Sequence, residues 1–322
     1  MTTDIYSHSF FAMGCHMCVW LQSNEIDLLA VENYFHTAEA QLTRFRPESE
    51  LSRLNNTPEQ WVTVSDLLWR VLVRALDLAA ESEGLFDPTL LSDLEQVGYR
   101  DSFEQIGRTA RFFQKRHRLA DPPRFRFRAI QLDEARQAVW LPRGIKIDLG
   151  GIAKGFVAQE VVDWLSGYGS CLLDAGGDLV AGFAPVGQLG WPVGISAPYE
   201  GSDDRPNLVR MWLSHGCLAT SGVDYRQWLT ADGRKHHIID PRTGTSAETD
   251  LLTVSVMMVD ACEAEAWATT SLILGQEEAY LRMNQHGVEG LLINQMREAQ
   301  VTPQMRPHLQ WEAHALETVV PL

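Results

Sequence analysis

Lysine, cysteine and long apolar runs are scarce in this sequence of 322 residues. Lysine occurs at four positions, Lys115, Lys146, Lys154 and Lys235, and arginine supplies the rest of the 27 basic residues. No apolar run reaches about 18 residues, so the sequence predicts no membrane segment. The first residues show no basic region followed by an apolar one and no lipidation cysteine, so we expect a cytoplasmic protein.

Five cysteines, an odd number, do not build a disulfide framework in a chain of this length. Cys15 and Cys18 form a single Cys-x-x-Cys pair, and a zinc site would need a second pair. Residues three apart in a strand point to opposite faces. We therefore interpret both cysteines as packing residues, with a redox or metal role as the less favoured alternative.

Basic residues are outnumbered by 42 acidic ones, which gives a net charge of −15. Such a field repels nucleic acid and anionic membrane surfaces on average. A small anionic ligand can still bind where a helix N-terminus or a metal ion offsets the field. The composition, with 45% hydrophobic and 21% charged residues, is that of a globular protein.

Hydrophobic periodicity predicts an α+β fold. Apolar residues recur at helical spacing over 26–44, 66–82, 152–166 and 261–274, and Ser65 or Asp66 is placed to cap the second helix. Strand-like runs are predicted at 8–21, 138–141, 145–149, 170–174, 192–196, 207–214 and 252–259. Because helices and strands do not alternate steadily, we expect mixed or antiparallel sheets with packed helices. The Arg-rich stretch 100–135 is predicted to be a peripheral segment of a single domain.

The stretch 145–165 has the layout of a phosphate-binding turn. Alternating apolar residues lead through Gly150 and Gly151 into a predicted helix with Lys154 in its first turn. Glycines let the backbone approach an anion, and the first helical N–H groups point towards it. The spacing is neither Gly-x-Gly-x-x-Gly nor that of a P-loop, which disfavours a nicotinamide-dependent Rossmann enzyme. The alternative is a tight turn that binds nothing.

Two further segments carry side chains suited to catalysis or metal binding. His237 precedes an Asp-Pro-Arg-Thr-Gly turn and is suited either to proton transfer or to holding that turn. Glu265 and Thr269 lie four residues apart on a predicted helix, hence on one face. Their oxygens suit a hard cation such as Mg²⁺, although they are equally compatible with an ordinary helix surface.

Taken together and in this order, the motifs are specific enough to indicate one protein family. The chain resembles the ApbE-like flavin transferases, enzymes that move FMN from FAD onto a protein. The stretches that match are Ala12-Met13-Gly14, Thr43-Arg44-Phe45, 49–55, Phe86-Asp87-Pro88-Thr89, 148–155, Gly176-Gly177-Asp178, 219–222, 237–244 and 264–269. They span residues 12 to 275, and we predict a single domain of this family over 1–322.

The resemblance implies a fold, a site and a reaction. It implies an ApbE-like α+β fold with FAD in a cleft, in which FAD is a substrate. The residues implied to lie at the FAD site are Met13, Phe45, Leu85, Phe86, Asp87, Gly150, Lys154, Phe156, Asp178 and Ile239. Mg²⁺ is implied to be held by the backbone carbonyl of Ala153 and the side chains of Glu265 and Thr269. His237, with Asp240 near it, is implied to act at the reacting phosphate.

The implied reaction transfers FMN to a Thr or Ser hydroxyl of an acceptor flavoprotein and releases AMP. Two alternatives stay open at this point: an Mg²⁺-dependent FAD pyrophosphatase, in which water replaces the acceptor, and a non-catalytic FAD-binding protein. The sequence departs from the family pattern at Cys15, where Thr is usual, and at Glu265, where Asp is usual. Many members of the family are exported or lipid-anchored, whereas this sequence shows no export signal.

We predict that the protein binds FAD more tightly than FMN, because the implied site holds the pyrophosphate and the adenosine as well as the flavin. Mg²⁺ should strengthen binding of this anion to so acidic a protein. Titration followed by flavin fluorescence measures both affinities. Equal affinity for FAD and FMN would contradict the prediction.

Overall fold

A computed structural model describes residues 4–102, 111–112, 125–198, 201, 204–231, 233–312 and 320–321. The chain divides into two compact units. The first unit comprises Met1–Asn33, Gly155–Tyr225 and Thr249–Leu322, and the second comprises Tyr34–Lys154 and Arg226–Glu248. Among the described residues, no helix combines the length and the apolarity that crossing a membrane requires.

Strands and helices are numbered here in chain order. The strands are β1 (Tyr6–Ala12), β2 (Cys15–Leu21), β3 (Trp61–Thr63), β4 (Arg111–Phe112), β5 (Gln131–Asp133), β6 (Ala138–Trp140), β7 (Cys171–Ala175), β8 (Leu179–Ala181), β9 (Trp191–Ser196), β10 (Asn207–Leu213), β11 (Gly216–Gly222), β12 (Gln227–Thr230), β13 (Gly233–His236), β14 (Ile239–Asp240), β15 (Thr245–Ser246), β16 (Leu251–Met258), β17 (Glu289–Asn294), β18 (Glu298–Val301), β19 (Gln310–Trp311) and β20 (Val320–Pro321). The helices are α1 (Leu29–Leu42), α2 (Glu50–Asn55), α3 (Asp66–Glu81), α4 (Leu91–Gln96), α5 (Ala153–Leu165), α6 (Ala261–Leu274) and α7 (Gln276–His286).

The first unit is built on a mixed sheet. Nine of the described strands pair in the order β1-β2-β7-β8-β11-β16-β17-β18-β20, and every pair except β18–β20 is antiparallel. Helix α6 packs against β11 and β16. A second sheet, β19-β10-β9, contributes Trp191, Ile195 and Leu208 to a hydrophobic cluster that also contains Leu218 and Leu291 of the nine-stranded sheet.

The predicted strand over 8–21 is wrong in one respect, because the structure divides it into a hairpin. Strands β1 and β2 are joined by Met13 and Gly14, whose φ angles are 50° and 72°. Two consecutive residues with positive φ are typical of the type I′ turn that matches strand twist in a two-residue hairpin. The usual signal of such a turn, Asn-Gly or Asp-Gly, is absent at this position, where the sequence reads Met-Gly, so hydrophobic periodicity alone predicted one continuous strand.

The predicted helices agree with the structure to within a few residues. Helix α6 has the predicted bounds, and Asp260 caps it by accepting a hydrogen bond from the backbone N–H of Glu263 at 2.9 Å. Ser65 caps α3 as expected, accepting from the N–H of Leu68 at 3.3 Å. In both cases a polar residue satisfies backbone donors that the first helical turn leaves unpaired.

The second unit contains three small groups of paired strands. Strand β6 pairs antiparallel with β3 and β5, and β14 pairs antiparallel with β15. Strand β12 pairs antiparallel with β13 and parallel with β4. Helices α2, α3 and α4 also belong to this unit.

Part of the Arg-rich stretch 100–135 is packed into this unit. Phe127 is buried, and Arg126 pairs with the buried carboxylate of Asp93. Residues 103–110 and 113–124 lie outside the described residues, so the expectation for that part of the stretch stays a prediction.

The predicted strand over 145–149 is wrong. Only Lys146 forms a strand-like bridge there, with Leu90. The backbone of Ile147 is instead paired with a side chain, because Asn55 donates from Nδ2 to the Ile147 carbonyl at 2.8 Å and accepts from the Ile147 N–H at 2.7 Å. Asp148 N–H donates to the carbonyl of Pro88 at 2.8 Å. An amide side chain therefore does here what a neighbouring strand would otherwise do.

We predict that Asn55→Ala lowers the free energy of unfolding by about 2–4 kcal/mol, because it leaves two buried backbone groups of Ile147 without partners. The neighbouring Asn56, which is exposed, provides a matched control, and Asn56→Ala should cost less than about 1 kcal/mol. Urea unfolding of both variants measures the difference. Similar destabilisation by the two changes would show that the Asn55 bonds contribute little.

Candidate functional site

One end of the nine-stranded sheet gathers several of the predicted site residues. Strand β2 starts at the Met13–Gly14 turn, and its Met17 pairs with Ala175 at the end of β7. Strand β8 turns back from that end and pairs with β11 through Leu179 and Leu218. The antiparallel registers therefore place the Met13–Gly14 turn, the 176–178 turn and the last residues of β11 at the same end of the sheet.

The turn between β7 and β8 is held by its glycines and by Asp178. Gly176 and Gly177 have φ of 75° and 101°, and Gly177 N–H donates to Oδ1 of Asp174 at 2.7 Å. A Cβ on Gly176 would lie 2.6 Å from Sγ of Cys15, so a side chain cannot fit there. Asp178 accepts at Oδ1 from the backbone N–H of Thr220 at 3.0 Å, which joins the turn to β11.

Glu265 and Thr269 of α6 lie against the same strand, β11. Glu265 is 6% exposed, and the hydroxyl of Thr269 lies 3.1 Å from that of Ser221. A Cβ on Gly155 would lie only 2.9 Å from Oε2 of Glu265, so the bare backbone of Gly155 makes room for the carboxylate. The predicted pair is thus a buried carboxylate and a hydroxyl, not an exposed helix surface.

This donor set fits a hard cation. Carboxylate and hydroxyl oxygens are ligands that Mg²⁺ takes, together with backbone carbonyls and water. No group of three or more His, Cys, Asp or Glu side chains within the described ranges is arranged to hold a metal ion. A magnesium site built on Glu265 would therefore need oxygen ligands of other kinds, such as the Thr269 hydroxyl.

In the second unit, several backbone N–H groups of the Gly150 turn are paired within the turn itself. Asp148 accepts the N–H of Gly150 at Oδ1, at 2.9 Å, and the N–H of Ala153 donates to the carbonyl of Leu149. Helix α5 begins at Ala153, which places Lys154 in its first turn. A Cβ on Gly151 would lie 3.4 Å from the ring of Phe86, which is an ordinary van der Waals distance.

Arg44 connects this turn to two aromatic rings. Its Nε lies 2.6 Å from Oδ2 of Asp148, and its side chain is 5% exposed. The guanidinium lies 4.1 Å from the ring centre of Phe45 and 4.8 Å from that of Tyr99, and Nη2 donates to the Tyr99 carbonyl at 2.9 Å. These are cation–π distances. Phe45, 39% exposed, is thereby fixed beside the glycine turn with part of its ring accessible.

The Leu85–Asp87 turn follows α3. All three residues are buried, and Asp87 accepts at Oδ1 from the backbone N–H of Thr89 at 2.8 Å and from its hydroxyl at 2.6 Å. Burial raises the pKa of the Asp87 carboxyl, while the Thr89 hydrogen bonds oppose the change. The contacts of Asp87 therefore hold the turn.

His237 lies beside an aromatic pair. Its ring centre is 6.4 Å from that of Tyr99, which stacks on Trp228 at 5.4 Å. Nδ1 of His237 is buried and has no hydrogen-bond partner among the described residues. Burial, followed by the positive charge of Arg226, lowers the pKa of His237 well below its usual value. The imidazole is therefore neutral near pH 7.

Asp240 and Ile239 occupy the short hairpin that follows. Both Asp240 oxygens bind Nε of Arg242, at 2.9 and 3.1 Å, and Oδ1 also accepts the Arg242 N–H at 2.8 Å. Ile239 is buried in a cluster with Leu94, Val97 and Trp228. Asp240 thus fixes the turn, and Ile239 anchors it to the helical part of the second unit.

Sequence reasoning missed four residues of this region. Arg44 stood inside a matching motif but was not selected, and His236 was visible as the neighbour of His237. Tyr99 and Trp228 gave no signal, because their role depends on a stack between residues far apart in the chain. The predicted site residues fall in both units: Met13, Phe156, Asp178, Glu265 and Thr269 in the first, and Phe45, Leu85, Phe86, Asp87, Gly150, Ala153, Lys154, His237, Ile239 and Asp240 in the second.

Solved structures share this architecture. The structure of the ApbE protein of Thermotoga maritima aligns with a TM-score of 0.81 at 23% sequence identity. The alignment covers 95% of this chain and 99% of that protein. The flavinyl transferase ApbE of Pseudomonas stutzeri, in its apo form, covers 95% and 96% with a TM-score of 0.76 at 21% identity. The predicted α+β fold is confirmed.

The family follows from sequence comparison. The family model described as the ApbE family matches residues 1–292, so this chain belongs to the ApbE family. A protein of Treponema pallidum (strain Nichols) named FAD:protein FMN transferase is 32% identical over 316 residues, covering 89% of this chain and 84% of that protein. One of the same name from Klebsiella pneumoniae (strain 342) is 26% identical over 304 residues, covering 91% and 90%.

His236 generates a prediction about acid stability. Its Nε2 lies 3.0 Å from the carbonyl of Ala247, and burial lowers its pKa to about 4. The unfolded chain binds the proton first, near the usual pKa of about 6.5, so stability is complete above that pH and falls below it. At pH 5.5 the loss from this group is about 1.4 kcal/mol.

Urea unfolding at pH 7.5 and pH 5.5 measures this loss. His236→Gln keeps an amide able to donate to the Ala247 carbonyl but does not titrate, so its stability should fall less between the two pH values. If wild type and His236→Gln lose the same free energy, His236 does not bind its proton preferentially in the unfolded state.

Proposed function

We propose that this chain is an FAD:protein FMN transferase. The observation that carries the proposal is the name of the Treponema pallidum relative, which is 32% identical over 316 residues. The named Klebsiella pneumoniae relative, matched over 91% of this chain, supports the same function. The glycine turn at 150–151, the buried carboxylate of Glu265 and the Thr269 hydroxyl supply local chemistry suited to a pyrophosphate substrate with its metal ion.

The proposed reaction is a phosphoryl transfer. The hydroxyl oxygen of a Thr or Ser on an acceptor flavoprotein attacks the phosphorus on the FMN side of FAD. The new P–O bond joins FMN to the acceptor, and the bond from that phosphorus to the bridging oxygen breaks. AMP leaves with the bridging oxygen, and the hydroxyl proton passes to a base. Such reactions depend chiefly on positioning and charge stabilisation.

The second unit supplies the proposed groups for binding the anion and the ring. The Lys154 side chain, in the first turn of α5, suits the pyrophosphate. Phe45 offers an accessible ring whose orientation is set by the Arg44 guanidinium at 4.1 Å. Phe86, Leu85 and Asp87 would contribute as a preformed turn rather than as charged ligands, since all three are buried.

His237 is the proposed proton acceptor. Its lowered pKa keeps the ring neutral in the neutral pH range, the form that a base requires. Asp240 would act on the reaction only as a positioning residue, since its carboxylate binds Arg242 within the turn that follows His237.

Glu265 and Thr269 are the proposed side-chain ligands of Mg²⁺, with the carbonyl of Ala153 as a third ligand by resemblance. When bound, Mg²⁺ would neutralise pyrophosphate charge and stabilise the negative charge that develops on AMP. The space left by Gly155 supports this assignment, because the carboxylate of Glu265 is accommodated where any Cβ would collide with it.

One experiment tests the proposed function against its alternatives. The protein is incubated with FAD, Mg²⁺ and an acceptor domain with a known Thr site, and acceptor mass, AMP and FMN are measured. An acceptor that gains the mass of FMN, with one AMP released per adduct, is the expected result. AMP and free FMN without an adduct would indicate hydrolysis, and unchanged FAD would indicate binding alone. An acceptor whose Thr is replaced by Val is the control.

We predict that His237→Ala retains FAD binding but lowers the transfer rate by about 10²–10⁴-fold, the usual effect of removing a general base. Circular dichroism must match the wild type, because the ring also contacts Tyr99. His36→Ala, which changes an exposed histidine of α1, should leave the rate unchanged. Full activity of a folded His237→Ala variant would remove this residue from the mechanism.

We predict that Glu265→Ala abolishes Mg²⁺-dependent transfer. Glu265→Asp restores the residue that is usual in the family. This variant should bind Mg²⁺ as tightly as wild type or more tightly, because Mg²⁺ requires ligand distances of about 2.0–2.1 Å. The wild type should tolerate the larger Mn²⁺ or Ca²⁺ better than Glu265→Asp does. Calorimetric metal titration with FAD present, alongside the assay, measures these effects. Unchanged transfer by Glu265→Ala would place the metal elsewhere.

A further inference from the structure

Strand β1 is an edge of the nine-stranded sheet. It is the first strand in the sheet order and pairs on one side with β2, in a continuous register from Tyr6 opposite Leu21 to Ala12 opposite Cys15. Within the described ranges, no strand pairs with its other side. An edge of this kind presents a row of backbone donors and acceptors.

The hairpin register identifies the backbone groups at that edge. In a two-residue hairpin the pair next to the turn, here Ala12 and Cys15, exchanges hydrogen bonds, and bonded and non-bonded pairs then alternate along the strands. The N–H and carbonyl groups of Ser7, Ser9 and Phe11 therefore point away from β2. The side chains of these three residues are exposed as well.

Edge strands are usually protected against pairing by lysine, proline, an inward charge or a bulge. The sequence of β1, Tyr-Ser-His-Ser-Phe-Phe-Ala, contains no lysine or proline, and its regular register leaves no bulge. Its inner-face residue His8 is paired with Glu32 at 2.6 Å. Its seven residues are long for an edge, and Phe11 is 47% exposed. This edge has the features of a surface that pairs with another chain.

The strand also ends at the candidate site. β1 leads directly into the Met13–Gly14 turn, which lies at the same end of the sheet as Asp178 and the last residues of β11. We propose that the edge of β1 docks an extended segment of the acceptor protein, which adds to the sheet as a further strand and carries the reactive hydroxyl past the Met13–Gly14 turn. This inference rests on the proposed transferase function.

The spacing of the sheet sets the length of that segment. Four inter-strand steps separate β1 from β11, or about 19 Å at about 4.8 Å per step. An extended chain covers this distance with about six residues. To reach β11, the reactive Thr or Ser should therefore lie at least about six residues beyond the part of the acceptor that pairs with β1.

Ser9→Pro tests the docking edge. Proline removes the outward N–H of residue 9, and its ring obstructs an incoming strand, whereas the bonds of β1 to β2 involve the alternate residues. Ser9→Ala is the matched control, because it removes the side chain and its contact with Sγ of Cys18 but keeps the N–H. Ser9→Pro should lower kcat/KM for the acceptor by about tenfold or more, and Ser9→Ala by less than about twofold. FAD affinity should be unchanged in both.

Amide hydrogen exchange of the wild type provides a second measurement that does not depend on the folding of a variant. Addition of the acceptor domain should slow exchange at Ser7, Ser9 and Phe11. Unchanged exchange at all three residues, or transfer by folded Ser9→Pro equal to that by Ser9→Ala, would overturn the docking inference. Absence of any adduct with the wild-type protein would instead overturn the proposed function.

Discussion

Antiparallel pairing in the nine-stranded sheet is the constraint on which the candidate site of the first unit depends. Since each strand reverses the direction of its neighbour, the turns after β1 and β7 and the end of β11 meet at one end of the sheet. Cys15 and Gly176 come so close there that a side chain on Gly176 is excluded. A one-residue slip of β2 would turn its buried side chains to the other face, so the core fixes the register and with it the site.

In the second unit a buried charge pair has the equivalent role. Arg44 joins Asp148, which shapes the Gly150 turn, to the rings of Phe45 and Tyr99. Removing one partner of a buried pair leaves an uncompensated charge and typically costs about 3–5 kcal/mol. The positions of the glycine turn and of the accessible Phe45 ring are consequently coupled through Arg44, so that a displacement of one would displace the other.

Glu265 illustrates how a departure from a family pattern is accommodated. Its side chain is one methylene longer than the usual Asp, and the structure places its carboxylate against a residue without a Cβ, Gly155. The Thr269 hydroxyl, one helical turn further on, is held by Ser221 of β11. The four-residue spacing of Glu265 and Thr269 places both side chains on one face of α6, as the proposed Mg²⁺ site requires. The longer side chain of Glu265 is therefore compatible with a metal-dependent enzyme.

Local physics allowed much of the molecule to be predicted from the sequence. Helices α3 and α6 followed from apolar periodicity, and the start of α3 also from the cap at Ser65, because both effects act within a few residues. The motif order indicated the family, which the comparison over residues 1–292 confirmed. The glycines at 150 and 151 marked the turn for the same reason, since the space that a missing Cβ leaves is a local property.

Tertiary structure decided what depends on distant partners. The backbone of Ile147 is satisfied by Asn55, 92 positions away, so a segment with strand-like alternation does not become a strand. The neutral state of His237 follows from its burial and from the charge of Arg226, and the stack of Tyr99 on Trp228 links residues that no local pattern connects. Burial and pairing of this kind exist only once the chain is packed, and for that reason the sequence indicated the chemistry but not the surroundings that tune it.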